Sequence, residues 1–469
     1  MHELPYDIYS QESILAFGKK LQGKSLGNCC DIQELENKRD KGGFGKFIEK
    51  LYFLYEPNSD AQADFVEAGL ELKVTPLKKL KNNTYRAKER LVLNIINYME
   101  VVNQNFYNSS FWKKNAHLLL LFYLYEKEKS LFDYVIKFVN IWNFPELDLE
   151  IIKKDWQIIQ AKILEGKAHE LSEGDTFYLA ACTKGAKGGN FREQPYSKEK
   201  AKQRAYSLKQ GYMNHIIATI SKKPLEYGKL IPSLQAVQKQ TIEELVLSKF
   251  YQYYNKSIDD ITEQLSLKLN QQSKNFYANI TKAILGISLE KEIEEFAKAD
   301  IIVKTVRLKQ NGIPKEDISF PKFEYRELVQ EIWDTSTMKA LLEQKFFFVF
   351  FQFEGEILVL KKVKFWNMPY KEILEVEKVW NKTRNVVQSG KIVKYIKEDK
   401  NKKQIRYTNF PNKKFSYVAH VRPHARNSQD TSVLPIHDIL TGNTEYTKHC
   451  FWLNASYVKD YIYTPKDNI

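Results

Sequence analysis

The segment Asp64–Lys73, DFVEAGLELK, decides how the rest of the sequence is interpreted. Successive side chains of an extended strand point to opposite faces. Glu71 and Lys73 would therefore project together from one face, while Leu70 and Leu72 would enter a hydrophobic core on the other. The alternation predicts a half-buried strand that carries a carboxylate and an ammonium side by side.

A second carboxylate lies just upstream of this strand. Gly69 suits a bend or bulge that would swing Asp64 round beside Glu71. Two carboxylates that meet in this way form an oxygen-rich site that fits Mg2+ and leaves water on the ion. The alternative is a solvated glutamate and lysine on an ordinary strand, and on spacing alone this alternative is the commoner one.

The sequence on either side favours the functional interpretation. Upstream, residues 41–55 place apolar side chains at helical spacing and make Glu49 available to the same site. Downstream, residues 73–90 are turn-rich and carry seven cationic side chains, Lys73, Lys78, Lys79, Lys81, Arg86, Lys88 and Arg90. So much positive charge beside a candidate metal site indicates a polyanionic partner.

The order of these motifs resembles a known family. KGGFGKFIE (41–49) followed by DFVEAGLELKVTPLK (64–78) resembles the MutH family of DNA endonucleases and, within it, the type II restriction endonucleases that recognise GATC. The likeness continues through KERLVLNIINY, SSFWKKNAHLLLLFY, GKAHELSEGDTFYLAACTKGA and YSKEKAKQRAYSLKQGYM. The resemblance implies an α/β fold of the restriction-endonuclease type, PD-(D/E)XK, with a mixed central sheet flanked by helices.

Phosphodiester hydrolysis assigns roles to the central residues. Asp64 and Glu71 would ligate Mg2+, with the backbone carbonyl of Leu72 as a further ligand, and Lys73 would orient the attacking water and stabilise developing negative charge. The resemblance implies two more catalytic residues. These are Glu49 on the preceding helix and Lys114 just before the strand AHLLLLFY, with Lys113 as the alternative if the register shifts by one.

Apolar runs predict the remaining elements of the first half. RLVLNIINY (90–98), AHLLLLFYLY (116–125) and LFDYVIKFVNIW (131–142) are predicted as strands. ELDLEIIKKDWQIIQAKILEG (146–166) is predicted as an amphipathic helix closed by Gly166, and residues 197–220 as one helix capped by Ser197.

The resemblance also implies which residues read the DNA sequence. It points to the loop at Thr183, Lys184 and Gly185, within the basic segment GAKGGN, and to Tyr206 in the last helix of the first half. A lysine can donate to guanine O6 and N7 in the major groove. Cys182 and Thr183 depart from the Arg-Pro pair that some members have there, and the alternative for Tyr206 is an ordinary core aromatic.

The second half of the sequence repeats the first in order. FAKADIIVKTVRL (296–308) repeats FVEAGLELKVTPL (65–77), and Trp142, Asn143, Pro145 and Trp156 recur as Trp366, Asn367, Pro369 and Trp380. We therefore predict a tandem pair of MutH-like domains, a catalytic domain at 1–221, a linker at 222–240 and a degenerate domain at 241–469.

The second copy has lost the predicted metal ligands. In register, Glu71, Glu49 and Asp64 are replaced by Ile302, Lys282 and Glu295, while Lys73 is retained as Lys304. The copy would still hold DNA through Arg422, Pro423 and His424, at the place of the family's DNA-reading loop. The basic run 391–414 supplies charge for phosphates, with a solvated loop as the alternative.

Composition sets the remaining expectations. The 469 residues carry 72 Lys and Arg against 58 Asp and Glu, which gives a net charge of +14 and suits nucleic acid. Four cysteines, Cys29, Cys30, Cys182 and Cys450, have neither metal nor disulfide spacing. No segment is predicted to cross or enter a membrane, and we expect a cytoplasmic protein with reduced thiols.

The leading hypothesis is a Mg2+-dependent type II restriction endonuclease that cuts double-stranded DNA at 5'-GATC-3', with a DNA-binding effector domain and a dimer assembled on DNA. One alternative is a mismatch-repair endonuclease that nicks one strand. The other is a sequence-specific DNA-binding protein without catalytic activity.

Overall fold

The structure is a computed structural model that describes residues 4–30, 43–55, 62–185, 190–223, 225–398 and 404–464. The chain divides into two compact units. The first unit contains Met1–Leu245 and Ile287–Ile301, and the second contains Val246–Gly286 and Ile302–Ile469. The segment Ile287–Ile301 packs with the first unit, although the predicted domain boundaries assign it to the second half.

The first unit is built on a mixed sheet and a smaller antiparallel sheet. Its strands are β1 Glu71–Lys79, β2 Tyr85–Ala87, β3 Leu91–Ile95, β4 His117–Leu124, β5 Ile136–Asn143, β6 Leu179–Thr183, β7 Phe191–Gln194, β8 Ser197–Lys202, β9 Arg204–Leu208, β10 Tyr227–Gly228 and β11 Glu292–Ile293. The mixed sheet has the order β2-β1-β4-β5, in which β1 and β4 are parallel, and the antiparallel sheet has the order β3-β9-β6. The expected mixed α/β architecture is confirmed.

The central position of β4 follows from its sequence. Residues 118–122, LLLLF, are fully buried. A continuous apolar run of this kind is typical of a strand covered on both faces, as the inner strand of a mixed sheet is. The three strands predicted from apolar runs are confirmed as β3, β4 and β5, although the first run ends in a helical turn at Tyr98–Val101.

Helices flank these sheets. They are α1 Gln11–Lys19, α2 Phe44–Phe47, α3 Tyr98–Val101, α4 Ser110–Asn115, α5 Glu146–Leu164, α6 Gln210–Ile220, α7 Leu234–Lys239 and α11 Glu294–Lys298. The helix α8 Ile242–Phe250 spans the boundary between the units, and α9 Ile258–Gln264 and α10 Phe276–Ile284 belong to the second unit. Gly166 follows α5 with a φ of +70°, and a Cβ there would lie 2.8 Å from the Tyr196 carbonyl oxygen. The predicted helix 146–166 and its glycine stop are therefore confirmed.

The prediction of one helix over residues 197–220 is wrong. Ser197–Lys202 and Arg204–Leu208 are the strands β8 and β9, and the helix α6 begins only at Gln210. The sequence SKEKAKQRAYSL is rich in residues that favour helices, but β9 pairs with both β3 and β6. Pairing on both edges outweighs the weak local preference.

The second unit repeats this arrangement of sheets. Its strands are β12 Ile302–Leu308, β13 Ile318–Lys322, β14 Phe346–Glu354, β15 Ile357–Trp366, β16 Val393–Glu398, β17 Gln404–Thr408, β18 Ala419–Pro423, β19 Thr431–Val433, β20 Glu445–Thr447 and β21 His449–Leu453. Its helices are α12 Tyr325–Gln330, α13 Thr337–Leu342, α14 Tyr370–Gln388 and α15 Ala455–Tyr457. A mixed sheet β12-β14-β15 and an antiparallel sheet β13-β21-β18 correspond to β1-β4-β5 and β3-β9-β6.

The segment Ile287–Ile301 is fixed to the first unit by buried polar contacts. The Glu295 carboxylate accepts hydrogen bonds from the amides of Leu230 (3.0 Å) and Ile231 (2.9 Å). The Lys298 ammonium lies 3.0 Å from the Asp148 carboxylate. Because these groups are desolvated together, removal of one partner would leave a buried charge unpaired.

None of the helices in the described part of the chain is long and apolar enough to cross a membrane.

Candidate active site

A tight hairpin brings Asp64 to Glu71. The Phe65 amide donates to the Leu70 carbonyl (3.0 Å), and the Leu70 amide donates to the Phe65 carbonyl (3.1 Å). Gly69 lies in this hairpin with a φ of +62°, a left-handed conformation that glycine adopts without strain. The bend predicted from Gly69 is confirmed.

The two carboxylates are interlocked through backbone amides. The Asp64 amide donates to Glu71 Oε2 (3.1 Å), and the Leu72 amide donates to Asp64 Oδ2 (3.0 Å). Glu71 is the first residue of β1 and is only 1% exposed, between the buried side chains of Leu70 and Leu72. The backbone amide of Asp64 thus orients the Glu71 carboxylate, and the amide next to Glu71 orients the Asp64 carboxylate. These two hydrogen bonds fix the relative position of the carboxylates.

Two lysines converge on Glu71. Lys73 Nζ lies 2.5 Å from Glu71 Oε1, as the alternation of β1 predicted. Lys114, near the end of α4, places its Nζ 3.6 Å from Glu71 Oε2 and donates to the Gln62 carbonyl at 2.9 Å. The neighbouring Lys113 is exposed, so the structure brings Lys114 and not Lys113 to the carboxylates.

The pKa values of two carboxyl groups at this site, Glu71 and Glu49, are raised. Burial raises the pKa of Glu71 to about 7, the Lys73 ammonium opposes this rise, and the charge of Asp64 adds to it. Burial also raises the pKa of Glu49, and the charge of Asp64 contributes in the same direction. A cation among these groups would favour their charged forms, because its positive charge replaces the stabilisation by water that burial removes.

Glu49 lies beside the pair on an unusual turn. The helix α2 continues into a π-helical turn at Ile48–Tyr52, which carries Glu49 toward Asp64. Isolated π-turns are frequent at functional sites. They allow a side chain to project in a direction that a regular α-helix would not permit.

The donor set fits a hard divalent cation. Within the described residues, no three His, Cys, Asp and Glu side chains lie close enough to hold one metal ion. Asp64 and Glu71 are linked through backbone amides, and two carboxylates without nitrogen or sulfur donors suit Mg2+, which keeps several waters as its other ligands. The Leu72 carbonyl as a third ligand stays a prediction.

Tyr55 is a residue of this site that the sequence did not predict. Its hydroxyl oxygen is buried and has no hydrogen-bond partner in the described part of the chain. Burial raises its pKa, and the charges of Asp64, Glu49 and Glu71 contribute. The only sequence signal is a polar-tipped aromatic at the end of the run LYFLY, six residues after Glu49.

Comparison with known proteins identifies the family. The sequence model of a protein family described as DNA mismatch repair enzyme MutH matches residues 53–155. The matched residues include Asp64, Glu71, Lys73 and Lys114. The type II restriction enzyme Sau3AI of Staphylococcus aureus is 38% identical over 457 residues, covering 91% of this chain and 93% of that enzyme. This chain is a type II restriction endonuclease of the MutH family.

A mismatch-repair relative covers less of the endonuclease. The DNA mismatch repair protein MutH of Buchnera aphidicola subsp. Baizongia pistaciae (strain Bp) is 26% identical over 134 residues, 29% of this chain and 60% of that protein. The restriction enzyme matches both units, whereas the aligned length of the repair protein amounts to less than a third of the chain.

The residues predicted to read DNA in the first unit occupy two different environments. Thr183 ends β6, and the exposed Lys184 and Gly185 follow it, with a φ of +137° at Gly185. The next residues of the predicted basic loop, 186–189, lie outside the described residues. Tyr206 is on β9, not on a helix, and is fully buried against Phe111 (ring centroids 5.1 Å apart). This position gives Tyr206 a packing role, and its predicted base contact stays a prediction.

The residues predicted to read DNA in the second unit are held by aromatic and acidic neighbours. The Arg422 guanidinium lies 3.9 Å from the centroid of the Trp452 ring and 3.3 Å from the buried Asp317 carboxylate. The centroid of the His424 ring lies 5.0 Å from that of Trp452, with the rings tilted by 47°, and its Nδ1 lies 3.2 Å from the Cys450 sulfur. Arg422 remains 42% exposed, so part of its guanidinium is accessible to a ligand.

The counterpart of the carboxylate site in the second unit has different chemistry. Ile302 pairs with the first residue of β14, just as Glu71 pairs with Leu118 near the start of β4. Lys304 occupies the position of Lys73, burial lowers its pKa, and it makes no ion pair with any described carboxylate. Glu295, the predicted counterpart of Asp64, instead binds the backbone of the first unit.

Proposed function

We propose that the endonuclease hydrolyses double-stranded DNA at 5'-GATC-3' with Mg2+ as its cofactor, in the cytoplasm. The observation that carries the proposal is the buried Glu71 carboxylate, held against Asp64 and contacted by Lys73 and Lys114. An acidic pair beside two ammonium groups suits a phosphodiester, because it provides ligands for a cation and positive charge for the phosphate oxygens.

Asp64, Glu71 and the Leu72 carbonyl would hold Mg2+, which when bound lowers the pKa of water and neutralises phosphate charge. Lys73 would orient the attacking water and donate to the phosphate oxygen on which negative charge accumulates. Lys114 would keep Glu71 ionised and add positive charge, and Glu49 would accept a proton from the water. One P–O bond forms to the water oxygen, one P–O bond of the DNA backbone breaks, and the leaving oxygen takes a proton from solvent to become a hydroxyl group.

We further infer that the two units are copies of one domain, with the catalytic role in residues 1–221 and an effector role in residues 241–469. The matching orders β1-β4-β5 and β12-β14-β15, together with the identical registers of β6 with β9 and β18 with β21, support common ancestry. A cleft of about 200 Å³ is lined by three cations, Lys304, Arg307 and Lys315, and two acids, Glu316 and Asp317. The excess of positive charge supports binding of a phosphate backbone by the second copy. Sequence reading is assigned to Thr183, Lys184, Gly185 and Tyr206 in the first copy and to Arg422 and His424 in the second, with a dimer on DNA as the active assembly.

Plasmid digestion tests the proposal. With Mg2+, purified enzyme should produce linear fragments whose ends map to GATC, and chelation of Mg2+ should abolish the cut. Glu71→Ala should lower the rate on the order of 10^3-fold, because several kcal/mol of metal-dependent stabilisation is lost.

Ile302→Ala is the matched control, since it removes the side chain at the same register of the second unit. It should leave the cleavage rate within about twofold, on the premise that Ile302 takes no part in chemistry. Equal cleavage by the Glu71→Ala variant and the parent would contradict the assigned site, and nicked circles as the end product would favour a repair-type reaction.

A further inference from the structure

The strands β16 and β17 form a two-stranded ribbon that follows the long helix α14, a position at which the first unit has no ribbon. In the second unit, 30 residues (389–418) separate the end of α14 from the start of β18. In the first unit, 14 residues (165–178) separate α5 from β6, and these residues, all of them described, contain no strand. The ribbon is therefore an addition to the second unit.

The base of the ribbon is anchored firmly in the core. Ile392, Val393 and Phe410 are buried at its base. The Val393 amide donates to the buried Asp438 carboxylate at 2.8 Å. The other oxygen of Asp438 accepts hydrogen bonds from the amide (3.0 Å) and the hydroxyl (2.8 Å) of Thr441, so the carboxylate is held in place and fixes the base of the ribbon.

Beyond its base, the ribbon is exposed on both faces. Every described residue from 394 to 398 and from 404 to 407 is exposed. These residues include four large apolar or aromatic side chains, Tyr395, Ile396, Ile405 and Tyr407. A two-stranded ribbon without a covered face is marginally stable in water, so this exposure indicates a partner that covers it.

The charges of the ribbon specify the chemistry of that partner. Lys394, Lys397 and Arg406 project from its two strands, against the single acid Glu398 among its described residues. None of the three cations forms an ion pair with a described carboxylate. Tyr395 and Tyr407 stack across the ribbon with ring centroids 4.6 Å apart, and the Lys397 ammonium lies 5.4 Å from the Tyr395 centroid. Unpaired cations around an aromatic pair fit a polyanion with flat apolar surfaces.

We propose that this ribbon enters the major groove of duplex DNA, with Lys394, Lys397 and Arg406 on phosphates and the Tyr395–Tyr407 pair on base edges. The proposal rests on the proposed function, in that it takes duplex DNA as the ligand. The major groove of B-DNA is wide enough to admit a two-stranded β-ribbon, and it exposes the base edges that the tyrosine pair would contact. The ribbon thereby adds a DNA contact that the first unit does not have.

Salt-dependent binding tests the proposal on the full-length enzyme. The probe is a short fluorescent duplex with one GATC site, measured by anisotropy in chelator so that no cleavage occurs. The test variant carries Lys394→Ala, Lys397→Ala and Arg406→Ala. Each lost phosphate contact should lower the slope of log affinity against log salt by about 0.9, so the triple change should lower it by about 2 to 3.

The matched control carries Lys371→Ala, Lys378→Ala and Lys382→Ala. These lysines are exposed on α14 of the same unit, and the control removes the same net charge. It should change the slope by less than one contact. An equal change in both triple variants would overturn the proposal, because it would show a general charge effect. Thermal melting of both variants checks that they are folded.

Groove chemistry provides the second readout. Wild-type enzyme should protect guanine N7 from methylation at the bound site, and a Tyr395→Ser, Tyr407→Ser variant should lose part of that protection. A larger loss of affinity for single strands than for duplex would overturn the major-groove assignment. Unchanged slope and protection in an enzyme that still cuts with Mg2+ would overturn the ribbon proposal alone, whereas absence of metal-dependent cutting would overturn the proposed function.

Discussion

The strands β1 and β12 have the same place in their sheets and opposite chemistry. Each runs parallel to the next strand in the same register, Glu71 with Leu118 and Ile302 with Phe346. One presents a buried carboxylate to two ammonium groups, and the other presents an aliphatic side chain and an unpaired lysine, Lys304. The same strand pairing therefore forms whether the first residue of the strand is a glutamate, as in β1, or an isoleucine, as in β12.

The comparison teaches where the catalytic site depends on the fold and where it does not. The antiparallel sheets also agree residue by residue, since β6 and β9 pair as Leu179 with Leu208, and β18 and β21 pair as Ala419 with Leu453. What differs lies at strand ends and in connections: the hairpin before β1, the lysine on α4 and the ribbon after α14. The predicted catalytic residues of the first unit therefore lie where the two units differ.

The largest expected effect separates the two equivalent lysines. Lys73→Met should lower the cleavage rate on the order of 10^2- to 10^3-fold, because it removes the proposed donor to the developing negative charge. Lys304→Met should leave cleavage of a single-site plasmid within about threefold, since no described carboxylate accompanies it. Single-turnover rates with saturating enzyme make the measurement. Similar losses in both variants would break the comparison.

The next effect concerns the segment Ile287–Ile301. Gly211 lies against it so closely that a Cβ would be 1.9 Å from the Ala297 carbonyl oxygen. Gly211→Ala should therefore lower the free energy of unfolding by about 2 to 3 kcal/mol and speed amide hydrogen exchange in α11. Gly43→Ala, where a Cβ would meet nothing within 4 Å, is the control. Unchanged exchange in α11 would contradict the packing of this segment.

A smaller effect is the pH dependence of stability that a buried histidine gives to the second unit. His449 begins β21 at the ladder position that Arg204 has in β9. Burial lowers the pKa of His449 from 6.5 to about 4. The unfolded chain takes up this proton before the folded one does, so stability is complete above pH 6.5 and falls as the pH drops toward 4.

Melting curves measure this dependence. At about pH 5 the expected loss of stability is about 2 kcal/mol relative to neutral pH. His449→Gln should reduce that loss, whereas His437→Gln, which changes an exposed histidine, should not. An acid-induced loss of the same size in the His449→Gln variant would assign the effect to other groups.

The smallest expected effect tests two adjacent lysines. Lys114→Met should lower the cleavage rate about tenfold, since a contact to a charged partner contributes about 1.5 kcal/mol. Lys113→Met, which alters an exposed side chain, should have no effect on the rate. A reversed order of the two variants would show that α4 presents a different face when DNA is bound.

The sequence predicted those parts of the fold that depend on local pattern. Apolar runs located β3, β4 and β5, and Gly166 located the end of α5. Residues 197–220 were mispredicted because Lys, Glu and Ala favour helices in isolation, whereas pairing of β9 with two neighbours decides the outcome. That pairing joins residues more than twenty positions apart and leaves no local signal.

The site was predictable where its residues are close in the chain. Asp64, Glu71 and Lys73 come together through one hairpin and one strand, so their spacing placed them side by side, and the flanking motifs favoured a functional role. The choice of Lys114 over Lys113 required the orientation of α4, and Tyr55 was missed because nothing in its neighbourhood marks an aromatic hydroxyl as unpaired. Burial of such a group depends on the whole core, which no short motif encodes.

The attachment of Ile287–Ile301 to the first unit governs how the molecule can be divided. Because residues on both sides of this segment belong to the second unit, the polypeptide passes from one unit to the other three times. A single cut within 222–240 would therefore not yield two self-sufficient pieces. A fragment starting at residue 241 would carry Glu295 and Lys298 without Leu230 and Asp148, their buried partners. Truncation would remove buried contacts from both halves. Point substitutions in the full-length chain are therefore the appropriate way to assign the function of each unit.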